Sequence, residues 1–123
     1  MSNSDKEIIN KIHSSMYSLV NENGYVSTVD VLIAISVLSK EDFENWRMGK
    51  VDYLERVCKI NLSKLSVINH EIRAYAKQHE LKPSWTDYRK WGKGENTRLR
   101  FSKSGDAQIE KLYATHYIRQ AKQ

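Results

Sequence analysis

The only proline of the chain, Pro83, divides the sequence into two parts with different patterns of apolar residues. Proline lacks the backbone N–H that a helix needs, and it disfavours the helical conformation of the residue before it. Before Pro83, apolar residues recur every three or four positions, which is the spacing of amphipathic helices. After it, residues 85–91 and 98–102 are rich in aromatic and β-favouring residues. The sequence therefore predicts helices before the proline and strands after it.

Helix-capping residues precede the helices that are predicted before the proline. Ser4, Ser27 and Ser39 each open a capping box, in which the hydroxyl satisfies backbone N–H groups of the first turn. The first helix is expected to stop at an Asn-Gly pair. The second, residues 28–36, is apolar on most sides and is expected at the centre of the core. The third is short and ends near Gly49.

Residues 52–79 predict either one long helix or two shorter ones. The apolar spacing stays in phase through Asn61, which favours a single helix. Asparagine is also a favoured helix cap, and Ile60 and Leu65 are placed to form a hydrophobic staple around it. We favour one helix, with a break at Asn61 as the alternative.

The two aromatic segments that follow the proline predict a β-hairpin. Residues 85–91 and 98–102 flank a stretch with two glycines, which is typical of a turn. An isolated hairpin is marginally stable in water, so one of its faces must pack on the helices. We expect that face to consist of Trp85, Leu99 and Phe101.

These elements predict one α+β domain, mostly α, that covers residues 1–123. Its expected architecture is a bundle of four to five helices with a C-terminal two-stranded hairpin, and it is winged-helix-like. A last helix is predicted to start at Asp106, and residues 119–123 are predicted to be a frayed tail. The side chains of the last helix that are expected to face inward are Ile109, Leu112 and Tyr113.

Charge is distributed unevenly along the chain, whose formal net charge is +5. Residues 1–60 contain seven Lys/Arg and nine Asp/Glu, whereas residues 61–123 contain thirteen and six. A basic half of this kind indicates an anionic partner, and DNA or RNA is the leading one. Basic residues also keep a protein surface hydrated, so the charge alone does not require a partner.

The predicted hairpin combines basic and aromatic residues, as nucleic-acid sites do. Cations neutralise phosphates, and aromatic faces stack on bases. In the alternative interpretation the rings belong to the core and the cations to its solvated edge. The residues expected to bind nucleic acid are Tyr88, Arg89, Lys90, Trp91, Lys93, Arg98 and Arg100.

A second candidate for nucleic-acid binding is a helix-turn-helix with Gly49 in its turn. Its recognition helix would be residues 52–60, and Arg47, Lys50 and Lys59 would contact phosphates. Two acidic residues on the opening turn of that helix would repel the nucleic-acid backbone. An ordinary helical corner is therefore favoured over a recognition motif.

The titratable residues form no catalytic or metal-binding pattern in the sequence. The four histidines are scattered and have no zinc spacing, so we predict no catalytic residue, no metal and no cofactor. A small enzyme acting on a phosphorylated substrate is a minor alternative, with His116 or His70 as acid or base beside Arg100. Cys58 lies on an apolar helix face and is expected to be a buried hydrophobic residue.

The sequence predicts a cytoplasmic protein with no membrane partner. It has one cysteine, no apolar N-terminal segment and no apolar run long enough to span a bilayer. The alternative to nucleic-acid binding is a protein-interaction or regulatory domain. Such a domain would bind an acidic protein partner, or form a homo-oligomer in which acidic and basic halves of two copies pair.

Five stretches of the sequence resemble a family of small bacterial proteins. They are residues 46–56 (WRMGKVDYLER), 81–86 (LKPSWT), 91–94 (WGKG), 99–106 (LRFSKSGD) and 113–116 (YATH), which together span most of the chain. No established function is associated with that family. The resemblance implies a bacterial protein, transfers no catalytic residue and favours none of the functions above.

Overall fold

The computed structural model describes the backbone of residues 3–121 and the side chains of residues 5–121. In this part of the chain it contains five α-helices, one 3₁₀ helix and a three-stranded antiparallel sheet, so the fold is α+β and mostly α, as predicted. The elements are α1 (Asn3–Asn23), β1 (Tyr25–Ser27), α2 (Thr28–Ala34), α3 (Lys40–Arg47), the 3₁₀ helix (Leu54–Val57), α4 (Leu62–Gln78), β2 (Lys82–Trp85), α5 (Ala107–Ala114) and β3 (Thr115–Ile118).

Serine caps begin α2 and α3 at the residues that the sequence indicates. Ser27 Oγ accepts a hydrogen bond from Asp30 N at 3.0 Å, and Ser39 Oγ accepts one from Asp42 N at 3.0 Å. Each bond satisfies a backbone donor of the first helical turn. The side chain of Ser4, the third predicted cap, lies outside the described residues.

Residues 52–79 form two helices rather than one long helix. The 3₁₀ helix is followed by α4, whose N-cap is Asn61. Asn61 Oδ1 accepts a hydrogen bond from Lys64 N at 2.9 Å, and the extended backbone of Asn61 interrupts the helix. The favoured prediction of one helix is therefore wrong, and the alternative is right. The recognition helix over residues 52–60, an alternative that the sequence disfavours, is also absent.

The sheet joins segments that are distant in sequence. β3 lies in the middle and pairs antiparallel with β1 and with β2, so that Tyr117 faces Val26 on one side and Pro83 on the other. The backbone continues to be held after β3, because Arg119 N donates to Gly24 O at 2.9 Å. Residues 122–123 of the predicted tail lie outside the described part of the chain.

The predicted hairpin is reduced to a single antiparallel bridge between Arg89 and Arg98. Hydrogen bonds from Lys90 N to Thr97 O and from Leu99 N to Tyr88 O, both 2.8 Å, join the two segments around this bridge, so the predicted hairpin is present only as a short pairing and not as two strands over residues 85–91 and 98–102. Trp85 instead ends β2, which pairs with β3. Since residues 52–60 contain no α-helix and the hairpin is limited to this short pairing, a winged-helix likeness is not confirmed.

The end of the second predicted strand, residues 100–102, forms hydrogen bonds with other elements instead. Arg100 O and Phe101 O accept hydrogen bonds from Leu54 N at 3.2 Å and Glu55 N at 2.9 Å, at the start of the 3₁₀ helix. Phe101 N donates to the Glu110 carboxylate on α5 at 3.0 Å. These bonds occupy the backbone groups that a hairpin partner would need.

Two groups of side chains form the core. α2 lies at its centre, as predicted, because Val29, Val31 and Leu32 are buried. The other group is an aromatic cluster around Phe101, whose ring centroid lies 5.0 Å from that of Trp46. The remaining rings of the cluster, at 5.2 and 5.6 Å from Phe101, are Tyr88 and Tyr113.

Of four side chains that are expected to face the core, two are buried and two are exposed. Leu99 and Phe101 are buried, as predicted. Trp85 is 52% exposed, because all four residues of β2 lie at a solvent-facing edge of the sheet. Ile109 is also exposed, since the buried residues of α5 lie at its C-terminal end. The predictions for Trp85 and Ile109 are therefore wrong.

None of the helices within residues 3–121 is both long and apolar enough to cross a bilayer.

Candidate nucleic-acid interface

The C-terminal end of α3 packs against residues 88–93. Trp91 N donates to Arg47 O at 2.7 Å. The Lys90 side chain lies directly over Gly49, where an added Cβ would come within 2.9 Å of Lys90 Cε. These contacts bring together two basic segments that the sequence placed in separate candidate sites. We call the surface that they form the Trp91 surface. It consists of Arg47, Met48, Lys90 and Trp91, together with the exposed residues Lys50 and Lys93, which lie within three residues of them along the chain.

A turn with a positive φ makes this packing possible. Gly49 follows α3 with φ +80°, a conformation that favours glycine. A side chain at this position would be strained and would also meet the Lys90 side chain. Gly49 therefore both ends the helix and lets the two segments approach each other.

The Arg47 guanidinium is held between two aromatic rings. Its Cζ lies 5.0 Å from the centroid of Tyr88 and 4.7 Å from that of Trp91. No carboxylate among the described residues forms an ion pair with Arg47, and its Nε is buried without a hydrogen-bond partner. Burial lowers the pKa of Arg47, although arginine keeps its charge at neutral pH. A partly desolvated cation without a counter-ion is stabilised by a bound anion.

The Trp91 ring is fixed in place but remains open to solvent. It makes a T-shaped contact with Phe43, with the ring centroids 5.8 Å apart and the planes at 86°, and it also contacts the Arg47 guanidinium. The residue is nevertheless 42% exposed. A ring that is already oriented loses little conformational entropy when a base stacks on it.

Tyr88, which the sequence places among the binding residues, lies beneath this surface. It is half-buried against Trp46 and Phe101, and its hydroxyl is 3.1 Å from His116 Nε2. Burial raises the pKa of Tyr88, so the hydroxyl stays neutral. Its position suits a role in orienting Arg47 rather than direct stacking on a base.

Three of the predicted cations are held by their own chain. Arg89 Nη2 and Arg98 Nε lie 3.1 and 3.3 Å from the two carboxylate oxygens of Asp87. Arg100 Nε donates to Ser102 O at 2.7 Å, and its Nη2 also donates to Lys103 O. These partners leave Lys90, Trp91 and Lys93 as the predicted residues that belong to the Trp91 surface.

Arg47 is the central residue of this surface, and the sequence placed it in a different motif. Its contacts with Tyr88 and Trp91 join positions that are more than 40 residues apart. No local pattern indicates such a contact. The sequence does show that both segments are basic, but it does not show that they lie close together.

His116, a histidine that the sequence offers as a catalytic acid or base, has no recorded contact with Arg100. His116 bonds to Tyr88 and stacks on Tyr25, and burial lowers its pKa. The Arg100 guanidinium donates to the backbone carbonyls of Ser102 and Lys103 and lies over the Tyr53 ring. No group of three or more His, Cys, Asp or Glu side chains that could hold a metal ion occurs in the described part of the chain.

Cys58 is poorly suited to nucleophilic chemistry. Burial raises its pKa to about 12, and the nearby carboxylates of Glu55 and Asp42 act in the same direction. Its thiol donates to Leu54 O at 3.6 Å. Because the thiolate is the reactive form, a thiol with so high a pKa reacts slowly.

Comparison with protein-family models, with curated proteins and with solved structures finds no match for the chain. The resemblance to a family of small bacterial proteins therefore stays a prediction. Any role of the Trp91 surface has to be inferred from its own geometry and charge.

Proposed function

We propose that the protein binds single-stranded nucleic acid through the Trp91 surface. In this proposal Arg47, Lys50, Lys90 and Lys93 pair with backbone phosphates, and a base stacks on Trp91. The observation that carries it is the Arg47 guanidinium, which is half-buried, lacks a carboxylate partner and lies against an exposed indole. A phosphate supplies the missing counter-charge, and the adjacent indole offers a face to the neighbouring base.

A single strand suits this surface better than a duplex. The exposed indole can stack only on a base that is not already stacked and paired with its neighbours. A duplex reader would instead place a recognition helix in the major groove, and residues 52–60 contain no α-helix. Lys50, Lys90 and Lys93 form no ion pair with any described residue, so they are free to contact phosphates.

The number of cations sets the expected salt dependence. Four phosphate contacts on a single strand give a slope of log K against log salt of about −2.8. The affinity should then fall by about 50-fold between about 50 mM and about 200 mM salt. A protein that bound by stacking alone would show almost no such dependence.

Fluorescence anisotropy with a labelled single strand of about 12 nucleotides tests the proposal. Arg47→Met keeps an unbranched apolar stem but removes the charge, and it should weaken binding and reduce the slope by about 0.7. Trp91→Ala should weaken binding by about 1–3 kcal/mol, the value of one stacked base. Trp85→Ala is the matched control, because Trp85 is a similarly exposed tryptophan that lies outside this surface on β2.

Two results would count against the proposal. One is the absence of binding at low salt, and the other is an equal loss of affinity in Trp91→Ala and Trp85→Ala. Polyglutamate serves as a competitor without bases. If it bound as tightly as the oligonucleotide, the same cations would be better explained by an acidic protein partner.

We also propose a reducing, cytoplasmic location in a bacterial cell. Cys58 is a free thiol, and a cytoplasmic protein meets both nucleic acid and conditions that keep thiols reduced.

A further inference from the structure

A second concave site lies between α4, α5 and the 3₁₀ helix, and it shares no residue with the Trp91 surface. We call it the α4–α5 pocket. Its volume is about 640 Å³, which is within the range of small-molecule sites. The buried side chains of Asn69 and Tyr113 form part of its lining.

A fixed polar network lies at the bottom of the pocket. Tyr113 Oη donates to Glu55 Oε2 at 2.7 Å, and Lys103 N donates to Glu55 Oε1 at 2.8 Å. Burial and the Glu55 carboxylate raise the pKa of Tyr113, while Asn69 acts in the opposite direction. Tyr113 therefore remains a neutral donor, and both oxygens of the Glu55 carboxylate are already engaged.

Apolar side chains line the pocket and remain open to water. Leu62, at the start of α4, is 50% exposed, and Ile109, on α5, is 37% exposed. Leu112 is also in the lining and is half-buried. Exposed aliphatic side chains from two elements that meet at one cavity favour a ligand with an apolar part, since covering them removes apolar surface from water.

The charged side chains of the lining are mainly basic. Arg73 and Lys103 line the pocket, and neither forms an ion pair with any described residue. The one carboxylate in the lining is that of Glu55, which already accepts two hydrogen bonds. The pocket therefore offers two free cations beside an apolar wall.

We propose that the α4–α5 pocket binds a small amphiphilic anion. The apolar part of the ligand covers Leu62 and Ile109, and its acidic group pairs with Arg73 and Lys103. This proposal does not depend on nucleic-acid binding, because the two sites have no residue in common.

Two dyes that differ in one group provide the test. 1-Anilinonaphthalene-8-sulfonate carries a sulfonate, and N-phenyl-1-naphthylamine is the same molecule without it. We expect the sulfonate to bind at one saturable site and about tenfold more tightly than the neutral dye, because of a charge-assisted contact. Amide shifts in ¹H–¹⁵N spectra should appear at residues of the lining, such as Ser66, His70 and Ser104.

Variants separate the contributions of charge and apolar contact. Arg73→Met and Lys103→Met should each weaken binding of the sulfonate severalfold and leave the neutral dye unaffected. Ile109→Asp should weaken binding of both dyes. Lys59→Met is the control, because Lys59 is an exposed cation outside the pocket. Thermal unfolding of each variant identifies any that fails to fold. If one of the two methionine variants does not fold, the other still tests the contribution of charge.

Three results would overturn the proposal. The first is equal affinity for the two dyes, and the second is a set of amide shifts away from the lining, including on the Trp91 surface. The third concerns the source of the anion. Soluble decanoate should displace the sulfonate dye, whereas displacement only by phosphatidylglycerol vesicles would indicate a membrane surface instead of a small molecule.

Discussion

Replacing Phe101 with alanine should destabilise the protein strongly, because its ring joins several parts of the core. The side chain is buried, and its centroid lies 5.0 Å from Trp46, 5.2 Å from Tyr88 and 5.6 Å from Tyr113. These rings belong to α3, the segment after β2, and α5. Removing the Phe101 ring leaves a cavity. The three neighbouring rings can fill it only by giving up contacts that they make elsewhere.

The expected cost is about 3–5 kcal/mol, the range for Phe→Ala in a core, which includes the lost transfer energy and the cavity. Three aromatic contacts place Phe101→Ala in the upper part of that range. Unfolding entropy scales with chain length, and 123 residues give about 0.26 kcal/mol per kelvin near the midpoint. A loss of about 4.5 kcal/mol should then lower the melting temperature by about 17 °C.

Urea and thermal unfolding followed by circular dichroism measure this change. Tyr17→Ala is the control, since Tyr17 is an aromatic residue that is 65% exposed on α1, and its loss should change stability by no more than about 0.5 kcal/mol. If Phe101→Ala lowered stability as little as the control, Phe101 could not be the centre of a packed aromatic cluster.

Three further predictions concern the carboxylate, thiol and imidazole groups of the fold. The Glu110 carboxylate accepts hydrogen bonds from Phe101 N and from Ser102 N and Oγ, so Glu110→Gln should lower the free energy of unfolding in urea by about 1.5–3 kcal/mol. Because the pKa of Cys58 is about 12, its thiol should react with iodoacetamide at pH 8 far more slowly in the folded protein than in urea, and equal rates would contradict its burial. Burial lowers the pKa of His116, so the unfolded chain binds its proton more readily and stability should be lost as the pH falls through the usual histidine range. The melting temperature should therefore fall less between about pH 7 and about pH 5 in His116→Gln than in the unmodified protein.

Local sequence signals predict the helix starts well, because a cap acts within its own turn. Ser27, Ser39 and Asp106 cap α2, α3 and α5 where the sequence places them. Asn61 shows the limit of periodicity, since the apolar spacing continues through a residue at which the backbone leaves the helix. The cap was the stronger signal, because its hydrogen bond fixes the backbone there.

The sheet could not be predicted in the same way, because its strands pair across long stretches of chain. β3 is four residues long and follows α5 directly, and its partners lie near residues 26 and 83. The aromatic segment around Phe101 has the composition of a strand, but its backbone bonds go to the 3₁₀ helix and to Glu110. Composition alone does not distinguish these outcomes.

The candidate binding site also combines residues that local sequence predicts with residues that only the tertiary packing brings in. Lys90, Trp91 and Lys93 could be proposed from the mixture of basic and aromatic residues in one segment. Arg47 joins them only through packing of α3 against that segment. The partners of Arg89 and Arg98 could not be foreseen either, because both bind the same carboxylate, that of Asp87.

The most direct test of nucleic-acid binding at the Trp91 surface is to follow the three tryptophan indole N–H signals in a ¹H–¹⁵N spectrum. Trp46 is buried with its Nε1 bonded to Arg100 O at 2.8 Å, and Trp85 is exposed on β2, so both serve as internal references. When a single-stranded oligonucleotide is added at low salt, the Trp91 signal should shift and the other two should stay in place. If the Trp91 signal did not move, or moved no more than that of Trp85, nucleic-acid binding at this surface would be contradicted.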